Sequence, residues 1–146
     1  MSQQSSVEGL FRSLIDFNRA VRAQGARWTE AGARVSRNEL IVLGMLVDAE
    51  VTRASQVSER MSVGPSVVSR LVASLSERGL IERTTDPDDG RAERLSVTEA
   101  GQVELKRARA AYIAALAERL EGWSAGDIDR TAAALDELRE ALIKDV

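Results

Sequence analysis

Apolar residues recur at helical spacing along most of the chain, and one interval alone changes to the two-residue alternation of a strand. Val7, Leu10, Phe11, Leu14 and Val21, with Asn18 in the same series, predict a first helix whose stripe reads as core. Ile15 and Phe17 widen that stripe, which leaves room for a second packing partner such as another subunit. Gln24 to Arg34 contains Gly25 and Gly32, breaks the rhythm and reads as a connection, with Trp28 as a hydrophobic plug. Ser36-Arg37-Asn38-Glu39 is a capping box that opens a buried helix through Leu40, Ile41, Leu43, Leu46 and Val47. A short helix from Ala54 to Arg60, started by Thr52 or Arg53, turns Val57 and Met61 inward, and Met61 to Val63 form a tight turn.

The helix after that turn carries signals at both ends. Gly64 is an acceptable cap, and Pro65 suits the first helical position, where its missing N–H costs nothing. Gly79 is placed as a left-handed terminator, with Arg78 in the last turn and Leu80 folding back over the helix end. Val68, Leu71, Val72 and Leu75 make one buried stripe. The opposite face, Ser66, Ser69, Arg70 and Ala73, is short or hydrogen-bonding with a single long cation. Such a face can approach another surface closely, and a DNA major groove is the natural candidate. Two helices joined by this turn predict a helix-turn-helix.

Past Gly79 the period shifts. Ile81 to Thr85 and Ala92 to Val97 read as strands around Asp86-Pro87-Asp88-Asp89-Gly90, which is dense turn chemistry, and the tip carries Arg91 and Arg94. A hairpin directly behind a helix-turn-helix is a wing. Thr98 caps a long helix to about Glu121 through Val103, Ile113, Leu116 and Leu120. Ser124 with Asp127 caps a final helix through Leu135, Leu138 and Leu142, and Trp123 with Ile128 is spaced as a hydrophobic staple. The expected fold is mainly α with a small β-hairpin wing, in a single domain. Its winged core spans about 36–97, and helices at about 6–30 and 98–146 form a dimerisation region, since they offer more apolar surface than a small core can cover.

Composition narrows the function. At 146 residues, 44% hydrophobic, the chain suits one globular domain, and with no Cys and no His it lacks thiolate metal sites, disulfides, the usual serine triad and imidazole acid–base chemistry. An enzyme is therefore not expected, nor a cofactor or metal site. Asp86 to Gly90 lacks both the spacing and the closing Glu of a calcium loop. No long apolar run or signal pattern is present, so the cytoplasm is the expected location. Only Lys106 and Lys144 are lysines among twenty basic residues. The net charge of −3 counts against a nucleic-acid binder, so a DNA reading depends on where the arginines point.

Gly79-Leu80-Ile81-Glu82-Arg83, Asp86-Pro87-Asp88-Asp89-Gly90-Arg91 and Ser96-Val97-Thr98-Glu99-Ala100-Gly101, together with Arg70 to Leu75, resemble in register the MarR family of multiple antibiotic resistance regulators. The resemblance covers nearly the whole chain. It implies a homodimeric winged-helix transcription regulator, often a repressor, that binds a pseudo-palindromic operator in double-stranded DNA and responds to a small organic effector. It further implies that Ser66, Val67, Ser69 and Arg70, with Ala73 beyond, face the bases, while Gly64 and Pro65 aim the helix N-terminus at DNA. Arg91 becomes the minor-groove arginine and Asp89 its orienting partner. Gly90 stands where many members have Arg, Ser58 where Ala is usual and Val97 where Leu is usual. No effector residue carries over.

Each assignment has a plainer counterpart. Asp89 and Arg91 could form a surface pair that stiffens a turn, and Ser66 and Ser69 could be ordinary helix-surface serines. Arg70 could read a base, clamp a phosphate or pair with an acid. Thr52, Arg53 and Arg83 are candidate phosphate contacts or solvated surface. The acidic pI supports an alternative function, a winged-helix interaction module that binds protein rather than DNA.

Overall fold

The computed structural model describes residues 2–30 and 34–144, the side chains of 25–30 excepted. Eight elements follow in order: α1 (Gln3–Glu30), α2 (Arg37–Val47), α3 (Ala54–Met61), α4 (Pro65–Glu77), β1 (Ile81–Thr85), β2 (Glu93–Val97), α5 (Glu99–Arg119) and α6 (Ala125–Ile143). They fall into two compact units, residues 1–113 and 114–146.

In the first unit the core lies among α2, α3, α4, the hairpin and the start of α5. Val35, Val42, Leu43, Val57, Val68 and Leu75 are fully enclosed or nearly so, and Leu95, Leu105 and Ala108 close over them. Ser36 caps α2 as expected: its hydroxyl accepts the Glu39 N–H at 3.2 Å, and the Glu39 carboxylate accepts the Ser36 N–H at 2.8 Å. Along α2, Val42 joins Leu43 and Leu46 in the core, whereas Val47 is exposed.

Two expectations for the N-terminal stretch need correction. Helix α1 does not break at Gln24 but continues through Gly25 to Glu30. A single glycine costs a helix only about 1 kcal/mol, and the Ala, Arg and Gln around it are good helix formers. The apolar stripe of α1 is not core either: Val7, Leu10, Phe11, Ile15 and Phe17 are exposed, and Leu14 and Val21 are half-buried. Among the described residues, that stripe is covered only in part, at Leu14 and Val21. The plug reading of Trp28 lies outside the described residues.

Helix α5 begins against the end of α4. The Thr98 hydroxyl donates to the Gly79 carbonyl at 2.6 Å and accepts the Gly101 N–H at 3.0 Å. A Cβ on Gly101 would drive into the Leu80 carbonyl oxygen and the Val97 side chain, so only glycine fits this approach. The inward face of α5 is Leu105, Ala108 and Tyr112, leaving Val103 and Ile113 in solvent.

In the second unit the Ser124–Asp127 capping box forms, and Asp127 also pairs with Arg130. Helix α6 nevertheless buries no residue, and Trp123, Ile128, Leu135 and Leu142 are all exposed.

Candidate nucleic-acid interface

The helix-turn-helix is held by short polar links. Gln56 in the first turn of α3 accepts the N–H groups of Thr52 and Arg53, at 2.8 and 3.0 Å, which would otherwise be orphaned at the helix start. At its other end Ser62 turns left-handed, with φ 52°. The Ser58 hydroxyl donates to the Val63 carbonyl at 2.6 Å and the Val63 N–H returns to the Ser58 carbonyl, so this serine ties the turn together. Gly64 is extended and Pro65 opens α4. Gly79, with φ 70°, ends it, and the Leu80 N–H closes back on the Leu75 carbonyl at 2.9 Å.

The two faces of α4 separate cleanly. Val68, Val72 and Leu75 are buried; Ser66, Ser69 and Arg70 are exposed; Val67 and Ala73 are half-buried between them. An exposed ridge of two hydroxyls and one guanidinium, free of carboxylates, can enter a groove lined with hydrogen-bonding base edges.

β1 and β2 pair antiparallel, from Ile81 opposite Val97 to Thr85 opposite Glu93. The hairpin is fastened to the start of α3 by two links. The Leu95 N–H donates to the Thr52 carbonyl at 2.8 Å, and the Arg53 guanidinium donates through Nε and Nη2 to Asp86 Oδ2 at 3.0 and 2.6 Å. Asp86 also accepts the Asp88 N–H at 2.9 Å, while its own N–H reaches the Ala92 carbonyl. The Asp88 N–H and then Arg53 hold the Asp86 carboxyl below the usual carboxylate range, and Asp86 in turn raises the Arg53 pKa. The acidic run at the tip thus serves the turn and Arg53, and no group of described residues is placed to hold a metal ion.

Asp89 acts on Arg91 through the backbone. Its carboxylate accepts the Arg91 N–H at 3.1 Å, an Asx turn that fixes the loop without engaging the guanidinium. No ion pair between the two side chains accompanies it among the described residues.

Seven arginines lie between Glu50 and Leu95. Four of them pair internally: Arg53 with Asp86, Arg60 with Glu50, Arg78 with Glu39, and Arg83 with Glu93 at 3.7 Å. Arg70, Arg91 and Arg94 are exposed and have no ion-pair partner among the described residues. One therefore stands on the outward face of α4 and two on the wing. Of the expected phosphate contacts, Arg53 is clamped by Asp86 with its side chain 37% exposed, Thr52 is half-buried beside it, and Arg83 leans on Glu93. Arg94 was not among the site residues expected from sequence. Its signal was strand alternation, because it lies on the face opposite buried Leu95.

Comparison with known proteins agrees with this geometry. The sequence profile described as MarR family matches residues 35–92, from the residue before the α2 cap to the wing tip. An uncharacterized HTH-type transcriptional regulator of Mycobacterium bovis is 35% identical over 111 residues, 75% of this chain and 78% of the relative. The HTH-type transcriptional repressor MdtR of Bacillus subtilis is 33% identical over 86 residues, 59% of this chain and 56% of MdtR. The crystal structure of the organohalide-sensing regulator RdhR, in its 2,4-dichlorophenol-bound form, superposes with a TM-score of 0.74 at 17% identity, over 97% of this chain and 85% of that one, a likeness of fold alone. Helix-turn-helix, wing and flanking helices together place this chain in the MarR family, as a winged-helix transcriptional regulator and not an enzyme.

Proposed function

We propose that the protein binds a pseudo-palindromic operator as a homodimer and represses transcription until a small organic molecule releases it. The observation that carries the reading is the distribution of unpaired arginines. The chain is acidic overall, yet Arg70, Arg91 and Arg94, without ion-pair partners among the described residues, stand on the two elements that a winged helix presents to DNA. Ser66, Val67, Ser69 and Arg70 then face base edges, Ala73 allows close approach, and Gly64 and Pro65 turn the α4 N-terminus toward the backbone. Arg91 enters the minor groove, where a narrow A·T-rich stretch concentrates negative potential, and Asp89 shapes the loop that presents it. Thr52 and Arg53 beside the hairpin, and Arg83 within it, then serve as phosphate contacts.

The exposed apolar faces of α1 and α6 support the homodimer, because helices that bury so little need a partner. Repression is proposed from the named role of MdtR. An aromatic or organic effector is proposed from the ligand of the organohalide-sensing neighbour and from the absence of Cys and His for redox or haem sensing. No described helix is long and apolar enough to cross a membrane, and a cytoplasmic regulator is proposed on family grounds.

Selection from random duplexes, followed by mobility-shift titration at several salt concentrations, tests the reading. A two-fold symmetric site should emerge. Arg91→Ala should weaken its binding and reduce the salt slope by about 1, the loss of one phosphate-region cation. An unchanged slope sinks the wing assignment. Failure to enrich any duplex favours instead a winged-helix module that binds protein, the reading to which the pI of 5.2 points.

A further inference from the structure

The C-terminal half of α4 is bolted to the start of α2 by an ionic cluster with no place in the DNA-facing surface. Glu39 is 8% exposed, and its carboxylate collects three donors, one from the cap of α2 and two from the end of α4. Oε2 accepts the Ser36 N–H at 2.8 Å; Oε1 accepts the Ser74 hydroxyl at 2.8 Å and Arg78 Nη2 at 2.6 Å. Arg78 reaches further, donating through Nη1 to the Arg34 carbonyl at 2.7 Å and through Nε to the Ser74 carbonyl at 3.2 Å. A single carboxylate would suffice to cap α2. This one also holds Ser74 of α4 and Arg78 at the C-cap of that helix, one helical turn apart.

The apolar stripe of α4 permits small rotations and slides, since Val68, Val72 and Leu75 grip by shape alone. Directional bonds to a buried charge do not permit them. Rotation of α4 about its axis is the movement that would carry Ser66, Ser69 and Arg70 out of register with base edges. We propose that Glu39 is a positioning residue for DNA recognition: with Ser74 and Arg78 it sets the rotation of α4, and through Arg34 and Ser36 it refers that setting to the segment preceding α2. The inference rests on α4 reading bases, as proposed above. It adds that sequence discrimination, and not only folding, depends on a residue that touches no DNA.

The test is the ratio of affinity for the selected duplex to affinity for a scrambled duplex of equal length, measured by fluorescence anisotropy on the full chain. Glu39→Gln keeps the side chain's size but weakens the bond to Arg78. Its ratio should fall about tenfold, mainly through the selected duplex, while binding to the scrambled duplex stays near wild type. Glu39→Asp, which retains charge, should recover part of the loss. Ser74→Ala, which leaves the Glu39–Arg78 pair in place, provides a milder variant should Glu39→Gln fail to fold, and its ratio should fall about threefold. Variants that lose thermal stability yet keep the wild-type ratio overturn the inference and leave Glu39 a helix cap. A wild-type chain that itself shows no preference between duplexes overturns the base-reading proposal, and this one with it.

Discussion

The winged core and the terminal helices solve the same problem in opposite ways. In the core, α2, α4 and α5 each turn one apolar face toward the others, so Val42, Leu43, Val68, Leu75 and Leu105 are closed off within a single chain. Helices α1 and α6 are just as regular, and α6 is better capped than α4, yet α6 buries nothing and α1 leaves Phe11 65% exposed. Regular local structure is therefore no sign of a completed core. The core is finished by intrachain packing; the terminal helices leave apolar faces exposed, as half of the proposed dimer interface would.

The largest expected effect tests the first half of that contrast. Leu43→Ala removes a fully buried side chain and should cost about 3 kcal/mol in urea denaturation, by the same amount at every protein concentration. A loss that shrinks on dilution would mean that the core itself depends on a partner. The second half is tested by Phe11→Asp combined with Leu142→Asp, which places charges on exposed apolar positions of α1 and α6. Wild-type melting should shift upward with protein concentration, and the double variant should lose that dependence along with about 2 kcal/mol of apparent stability at micromolar concentration. Sedimentation of the variant as a dimer would remove these faces from the interface.

Where the chain closes on itself, the sequence was a good guide. The capping boxes at Ser36 and Ser124, the Gly64–Pro65 start and Gly79 stop of α4, and the span of β1 were all legible, because each depends on residues within a few positions of one another. Helix α1 was not. Its stripe has the periodicity of a core helix, and periodicity records that a face is apolar without saying which molecule covers it. The arginines show the same limit. Arg53 and Arg78 looked like surface cations or helix punctuation, and their partners Asp86 and Glu39 lie 33 and 39 positions away. Only the fold shows that these two are engaged while Arg70, Arg91 and Arg94 have no ion-pair partner among the described residues.

Charge pairs sharpen the comparison further. Burial pushes the Glu39 carboxyl up, but the Ser36 N–H, the Ser74 hydroxyl and Arg78 together outweigh it and hold the group below its ordinary value of 4.5. A carboxyl lowered in this way contributes stability that is complete above that value and is lost as pH falls through the lower folded one. Burial raises the Tyr112 phenol, so its titration moves further from this range. Glu39→Gln should therefore cost about 2 kcal/mol near pH 7, and its denaturation curve should converge on the wild type in acid. Curves that stay parallel would assign the loss to packing rather than charge.

The smallest effect belongs to the terminal helices. Asp136 and Arg139 on α6 meet at 2.9 Å, close to the distances in the Glu39 cluster, but both side chains are more than half exposed. At such a site water already solvates each ion, ordering two long side chains offsets most of the attraction, and salt screens what is left. Asp136→Asn should change stability by no more than about 0.5 kcal/mol at low ionic strength, and by nothing measurable in 0.5 M salt. A larger loss that persists in salt would mean that the pair is desolvated in the working protein, with a second copy lying over that part of α6. Equal distances would then have concealed two environments, and the exposed half of the molecule would be exposed only while the chain is alone.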